Sequence, residues 1–178
     1  MTHYLVIGGT GMLQAAVLNW IEEGHEVTVV ARTKESLLRL SKRAEQPDRL
    51  HTIQADYLQL PSFQNQLKHL SAPDIIISWI HSSGNDAVQA MCDLYGTLQK
   101  PISFFHIKGS SAQDPRHNYI PKFAENIDYH EVILGFRITE GFSRWLTNQE
   151  IADGISQAVK HPQPRCIVGT VWPWSARP

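Results

Sequence analysis

Tyr4-Leu5-Val6-Ile7 is an apolar run closed by Gly8-Gly9-Thr10-Gly11-Met12-Leu13, and immediately afterwards the hydrophobic period changes. A short apolar run bounded by glycine reads as a strand buried on both faces. Over residues 12–23 the apolar positions recur at three and four, with Leu13, Val17, Trp20 and Ile21 on one face and Gly24 as the C-terminal cap. Val27 to Val30 is a second, β-branched strand. Strand, glycine turn, helix and strand within a few dozen residues form one βαβ unit. Glycines at its first turn let backbone amides approach a pyrophosphate, and the helix N-terminus adds a favourable field.

The same rhythm continues outward. Residues 34–45 predict a helix with Leu37, Leu38 and Leu40 inward, and Leu50 to Ala55 a weaker third strand. Leu60, Phe63, Leu67 and Leu70 fall at helical spacing, and Ile75 to Ile80 is a strong strand. Gly84-Asn85 opens a helix with Ala87, Val88, Met91, Tyr95 and Leu98 on one stripe, and Ile102 to Ile107 is the next strand. Residues 108–128 read as loop, and Tyr129 to Phe136 as a sixth strand. Thr147 and Glu150 match a capping box before a helix carrying Ile151, Ile155 and Val159, and Cys166 to Val168 is a last short strand. Strands alternating with helices imply an α/β fold: a doubly wound parallel sheet with one layer of helices on each face, in a single domain spanning 1–178. Ligands in such sheets bind beyond the carboxyl ends of the strands, which directs attention to residues 8–13, 31–34, 56–57, 79–84 and 108–111.

Composition narrows the function classes. With 16 Lys and Arg against 17 Asp and Glu, the net charge is −1, without the basic excess of a nucleic-acid binder. No uninterrupted apolar run is long enough to span a bilayer. The amino terminus lacks the basic flank and cleavage site of a signal peptide. Cys92 and Cys166 lie far apart in no metal or redox spacing, so a reduced, cytoplasmic protein is expected. The nine histidines show no His-x-x-x-His or His/Asp cluster, and no metal is expected.

The run VIGGTGML, followed by a strand ending in Ala31-Arg32, resembles the short-chain dehydrogenase/reductase superfamily, in particular its atypical members. The resemblance implies an NAD(P)-binding Rossmann-type fold with phosphate contacts from Gly8, Gly9, Thr10, Gly11, Met12 and Leu13. It places Asp56-Tyr57 beside the adenine and Trp79-Ile80-His81-Ser82 where the family carries Asn-Ala-Gly, with Ile80 against the cofactor. It also puts Gly109-Ser110-Ser111 where the family carries its catalytic serine. Two departures stand out. Gln14 occupies the position of the third glycine of G-x-x-G-x-x-G, whose role is close helix–strand packing. The family's Tyr and Lys four residues apart on a helix are missing, since Tyr119 and Lys122 are three apart with Pro121 between them.

Arg32, where NAD binders place an acidic residue, favours NADP(H) over NAD(H), because a guanidinium fork suits a 2′-phosphate. The resemblance implies an oxidoreductase reducing a small carbonyl or conjugated substrate, with Ser110 and His81 as candidate catalytic groups. With His106 and Lys108 they lie at the ends of the fourth and fifth strands, where the four would surround a nicotinamide. His106 reads equally as packing in the sheet, and Lys108 rather as solvated. The missing Tyr/Lys pair equally suits a non-catalytic NADP(H) sensor or regulatory module. A third reading is a nucleotide-free scaffold with its site closed by Gln14 and Trp79. Phe142 and Trp145 read either as a lid over the cofactor or as packing under the last helix. Val171-Trp172-Pro173-Trp174 either folds onto the subunit's own core or forms a homodimer contact.

Overall fold

β-branched and aromatic runs, each flanked by turn residues, become seven strands of one parallel sheet in the computed structural model, which describes residues 1–178. In chain order the elements are β1 (His3–Ile7), α1 (Gln14–Glu22), β2 (Glu26–Ala31), α2 (Lys34–Arg43), β3 (Leu50–Gln54), α3 (Leu60–Lys68) and β4 (Ile75–Trp79). They continue with α4 (Asn85–Gly96), β5 (Ile102–Gly109), β6 (Ile127–Leu134), β7 (Phe136–Thr139), β8 (Phe142–Trp145), α5 (Asn148–Lys160) and β9 (Arg165–Val168). The sheet order is β3-β2-β1-β4-β5-β6-β9, so strand order reverses between β1 and β4.

Alternation along the strands divides the core. Tyr4 and Val6 of β1 face α1, α2 and α5, whereas Leu5 and Ile7 face α3 and α4. Each helix contributes its apolar stripe: Val17, Trp20 and Ile21 from α1, Ile151 and Ile155 from α5, and Val88, Met91 and Tyr95 from α4. Burial on both sides explains why β1, β2 and β4 read as continuous apolar runs.

Four details depart from expectation. Leu38 is exposed, because α2 turns only Leu37 and Leu40 inward. β5 runs on to Gly109, since β6 pairs with it from Ile102↔Ile127 to Gly109↔Leu134. Lys108 is therefore not solvated but buried in the sheet. The sixth strand ends at Leu134 instead of Phe136. A Cβ on Gly135 would stand 2.1 Å from the Thr170 carbonyl oxygen, so glycine is what admits the chain crossing there. Phe136 and Thr170 then exchange backbone hydrogen bonds of 2.9 and 2.8 Å.

Beyond that crossing, β7 and β8 form an antiparallel hairpin that hydrophobic periodicity did not reveal. Its turn residues Glu140 and Gly141 both have positive φ, 52° and 82°, as the two central positions of a type I′ turn require. Phe142 and Trp145 do not pack under α5: they are 79% and 47% exposed. Nor does the tail fold its tryptophans into the core, for Val171 is buried while Trp172 and Trp174 remain 66% and 42% exposed.

Candidate dinucleotide site

The glycine turn after β1 begins with a hydrogen bond from Gly8 N–H to Val30 O (3.0 Å) and closes with one from Gln14 N–H to Gly11 O (3.0 Å). Between them, no N–H from Gly9 through Leu13 has an acceptor within the protein. Five consecutive free donors at the start of α1 form an anion cradle at the reversal of strand order.

The three glycines answer to different neighbours. Gly8 has φ +85°, and a Cβ there would lie 2.9 Å from the Trp79 carbonyl oxygen. Gly9 is hemmed in by Val6, Val29 and Val17 at 3.0–3.2 Å. A Cβ on Gly11 would meet nothing within 4 Å, so packing makes no demand for glycine there. The side chain of Gln14 is engaged locally. Its amide donates to Thr10 O (3.5 Å) and its oxygen accepts from Arg43 on the surface.

A groove of about 400 Å³ opens over this turn, within the size range of cofactor sites. Gly8, Thr10, Gly11 and Met12 line it together with Tyr57, Arg32 and Arg39. Neither arginine is paired with a carboxylate. Ser36 also lines the groove; its hydroxyl accepts from that of Thr33 (2.7 Å) and donates to Thr33 O (2.9 Å). Sequence reading found Arg32 but missed Ser36 and Arg39. Their spacing along α2 puts them on the same helix face, a signal that was present. Of the other expected contacts, Gly9 and Leu13 are buried behind the turn and do not line the groove. Asp56 spends its carboxylate on Leu58 N–H (2.9 Å), and Ile80 faces a neighbouring cavity.

That second cavity, about 180 Å³, lies between the carboxyl ends of β4 and β5 and shares Trp79 and His81 with the groove. Its wall carries His106, Lys108, Asn85, Ser111, His117 and Tyr119. Ser110 is buried in the turn after β5 and does not line it; Ser111 does. Tyr119 and His117 come from a stretch without periodicity, which is why sequence reading could not place them.

Two buried polar pairs hold the cavity floor. His106 Nδ1 lies 2.8 Å from the Tyr129 hydroxyl. Burial, reinforced by the Lys108 charge, pushes the His106 pKa down to about 3, so the ring is neutral. Burial also holds the Tyr129 phenol well above its ordinary range, so the phenol keeps its proton. The Lys108 ammonium donates to Glu131 Oε2 (2.9 Å), Asn118 Oδ1 (2.7 Å) and Tyr119 O (2.6 Å), and Asn118 Nδ2 also donates to Glu131 (2.9 Å). Burial lowers the Lys108 pKa while the Glu131 carboxylate opposes that shift. All three ammonium donors are thus committed. Tyr119 offers no substitute for a Tyr/Lys pair, because its hydroxyl lies on Gln89 Oε1 at 3.3 Å.

No protein-family model matches the chain, and no curated protein matches it by sequence. Solved structures do match. A short-chain dehydrogenase/reductase from Vibrio parahaemolyticus superposes with a TM-score of 0.73 at 11% identity, over 93% of this chain and 98% of that one. The bulky-bulky ketone specific alcohol dehydrogenase from Comamonas testosteroni gives 0.71 at 13% identity, over 98% and 89%. Serine dehydrogenase from Escherichia coli gives 0.64 at 14% identity, over 94% and 96%. At such identities the likeness is one of backbone architecture, and the fold of this chain is that of the short-chain dehydrogenase/reductase structures.

Proposed function

We propose that the chain binds NADP(H) in the groove and is an oxidoreductase reducing a small carbonyl or conjugated substrate. The observation that carries this reading is one groove whose lining holds three acceptor-free amides, those of Thr10, Gly11 and Met12, together with two guanidiniums that have no carboxylate partner. The amides suit a pyrophosphate, and Arg32 and Arg39 suit a 2′-phosphate. Tyr57 offers an aromatic face to the adenine. When bound, the cofactor supplies a hydride and the chain need only orient the substrate and deliver a proton. His81 borders groove and cavity alike and stands best placed for that delivery.

A second reading, a non-catalytic NADP(H) sensor, draws on a specific feature. Lys108 is bound to three acceptors, so no free lysine serves the cavity as the family's does. Oxidation of bound NADPH by a panel of carbonyl compounds separates the two readings. The cofactor assignment is tested by Arg32→Ala under calorimetric titration. NADPH affinity should fall by about 1.5–3 kcal/mol, the worth of a charged hydrogen bond, while NADH affinity barely changes. Equal losses for both nucleotides would sink it.

A further inference from the structure

The small cavity does not end at its own wall. Ser82, Ser111 and His117 are shared with an open bay of about 880 Å³. The bay's far side is the carboxyl-terminal tail, Trp172, Trp174 and Arg177. Groove, cavity and bay are therefore neighbours in series, sharing first Trp79 and His81 and then these three residues.

The chemistry of the bay is distinctive. Two indoles that a folded core would normally cover present their surfaces to it, Trp172 at 66% and Trp174 at 42% exposure. Its one carboxylate, Asp114, is taken up by Arg116 through bonds of 2.6–3.1 Å and by His117 at 3.4 Å. Arg177 has no carboxylate partner. Its guanidinium lies 5.0 Å from the Trp174 ring centre and 5.4 Å from that of Trp145, held over both faces with its donors unused. A stacked guanidinium keeps its edge free for an anion while the ring beside it accepts a flat apolar group. The 180 Å³ cavity, by contrast, sets imidazoles, hydroxyls, the Asn85 amide and the Lys108 ammonium beside Trp79, Ile80 and Ala112, and its size admits only a small group such as a carbonyl.

Resting on the oxidoreductase reading above, we infer that the substrate is an aromatic carbonyl compound bearing an anionic group. Its carbonyl enters the cavity beside His81 and His106, while its ring and negative charge lie on Trp174, Trp172 and Arg177.

The test is calorimetric titration of the intact protein with 4-carboxybenzaldehyde and with benzaldehyde, each with and without saturating NADPH. The acid should bind about tenfold or more tightly than the neutral aldehyde, the ratio expected of one charge-assisted contact. Arg177→Glu should abolish that preference and leave benzaldehyde binding unchanged. Trp174→Ala should weaken both, with NADPH affinity unaltered in either variant. These side chains are exposed, so both variants should melt as the wild type does. Equal binding of the two aldehydes, or a preference that survives Arg177→Glu, overturns the inference. NADPH binding without any aldehyde binding also overturns it and leaves the cofactor assignment intact. Selective acid binding in a protein that ignores NADPH supports the bay and removes the oxidoreductase reading instead.

Discussion

Lys108 illustrates how much a single side chain depends on partners remote in the chain. A lysine at the seventh position of a strand that until then is made of Ile, Ser, Phe and His looks like the point where the sheet ends. It is instead buried, because Glu131 arrives beside it on β6 and Asn118 and Tyr119 arrive from the intervening loop. Removing one member of a buried ion pair leaves the other charge uncompensated. Lys108→Met should therefore cost about 3–5 kcal/mol in urea unfolding. The double variant Lys108→Met/Glu131→Leu should recover most of that loss, since an apolar pair of similar volume restores the balance. If the double variant is no more stable than the single one, the network is held by something other than charge pairing.

Among the elements, α5 carries its own start signal. Thr147 Oγ1 accepts from Glu150 N–H (3.1 Å), and Glu150 Oε1 accepts from Thr147 N–H (3.0 Å), as the capping box in the sequence predicts. Glu150 also receives Arg144 at 2.7 Å and Arg137, so the cap fastens the β7–β8 hairpin to the helix. The Arg144 guanidinium and the Thr147 amide hold the Glu150 carboxyl down to about 2. Thr147→Ala should destabilise the protein by about 1 kcal/mol in urea unfolding, the usual worth of such a cap. A loss indistinguishable from zero would mean that the arginines alone hold the helix start.

For the molecule as a whole, the buried histidine makes stability depend on acidity. The His106 pKa lies near 3 in the folded protein, below the ordinary 6.5 that it regains on unfolding. Between those values the unfolded chain binds the extra proton, so stability falls as pH drops below 6.5 and is fully restored above it. His3, whose pKa is also lowered by burial, acts in the same direction. The Asp74 carboxyl, held below its ordinary 3.8 by the His3 amide and Lys100 against the opposing cost of burial, adds a further loss only at still lower pH. His106→Asn should therefore flatten the decline in unfolding free energy between about pH 6.5 and pH 4 relative to wild type. Parallel profiles for the two proteins would show that the imidazole titrates freely after all.

The alternating strands and helices of the parallel sheet and the glycine turn after β1 were written locally, in residues whose meaning depends on near neighbours, whereas the β7–β8 hairpin was not. Hydrophobic period, glycine after a strand and Thr147 to Glu150 act over a few residues, so they survive being read one segment at a time. That Arg32 lines the groove was legible for the same reason, since it directly follows β2. The second cavity was legible only in part: His81, His106 and Lys108 follow from two neighbouring strand ends, whereas His117 and Tyr119 arrive from an aperiodic segment. The length of β5, the burial of Lys108 and the crossing at Gly135 depend on pairings between residues 20 or more apart in sequence, as Lys108 with Glu131 and Gly135 with Thr170. Such contacts leave no local period, and only the tertiary structure decides them.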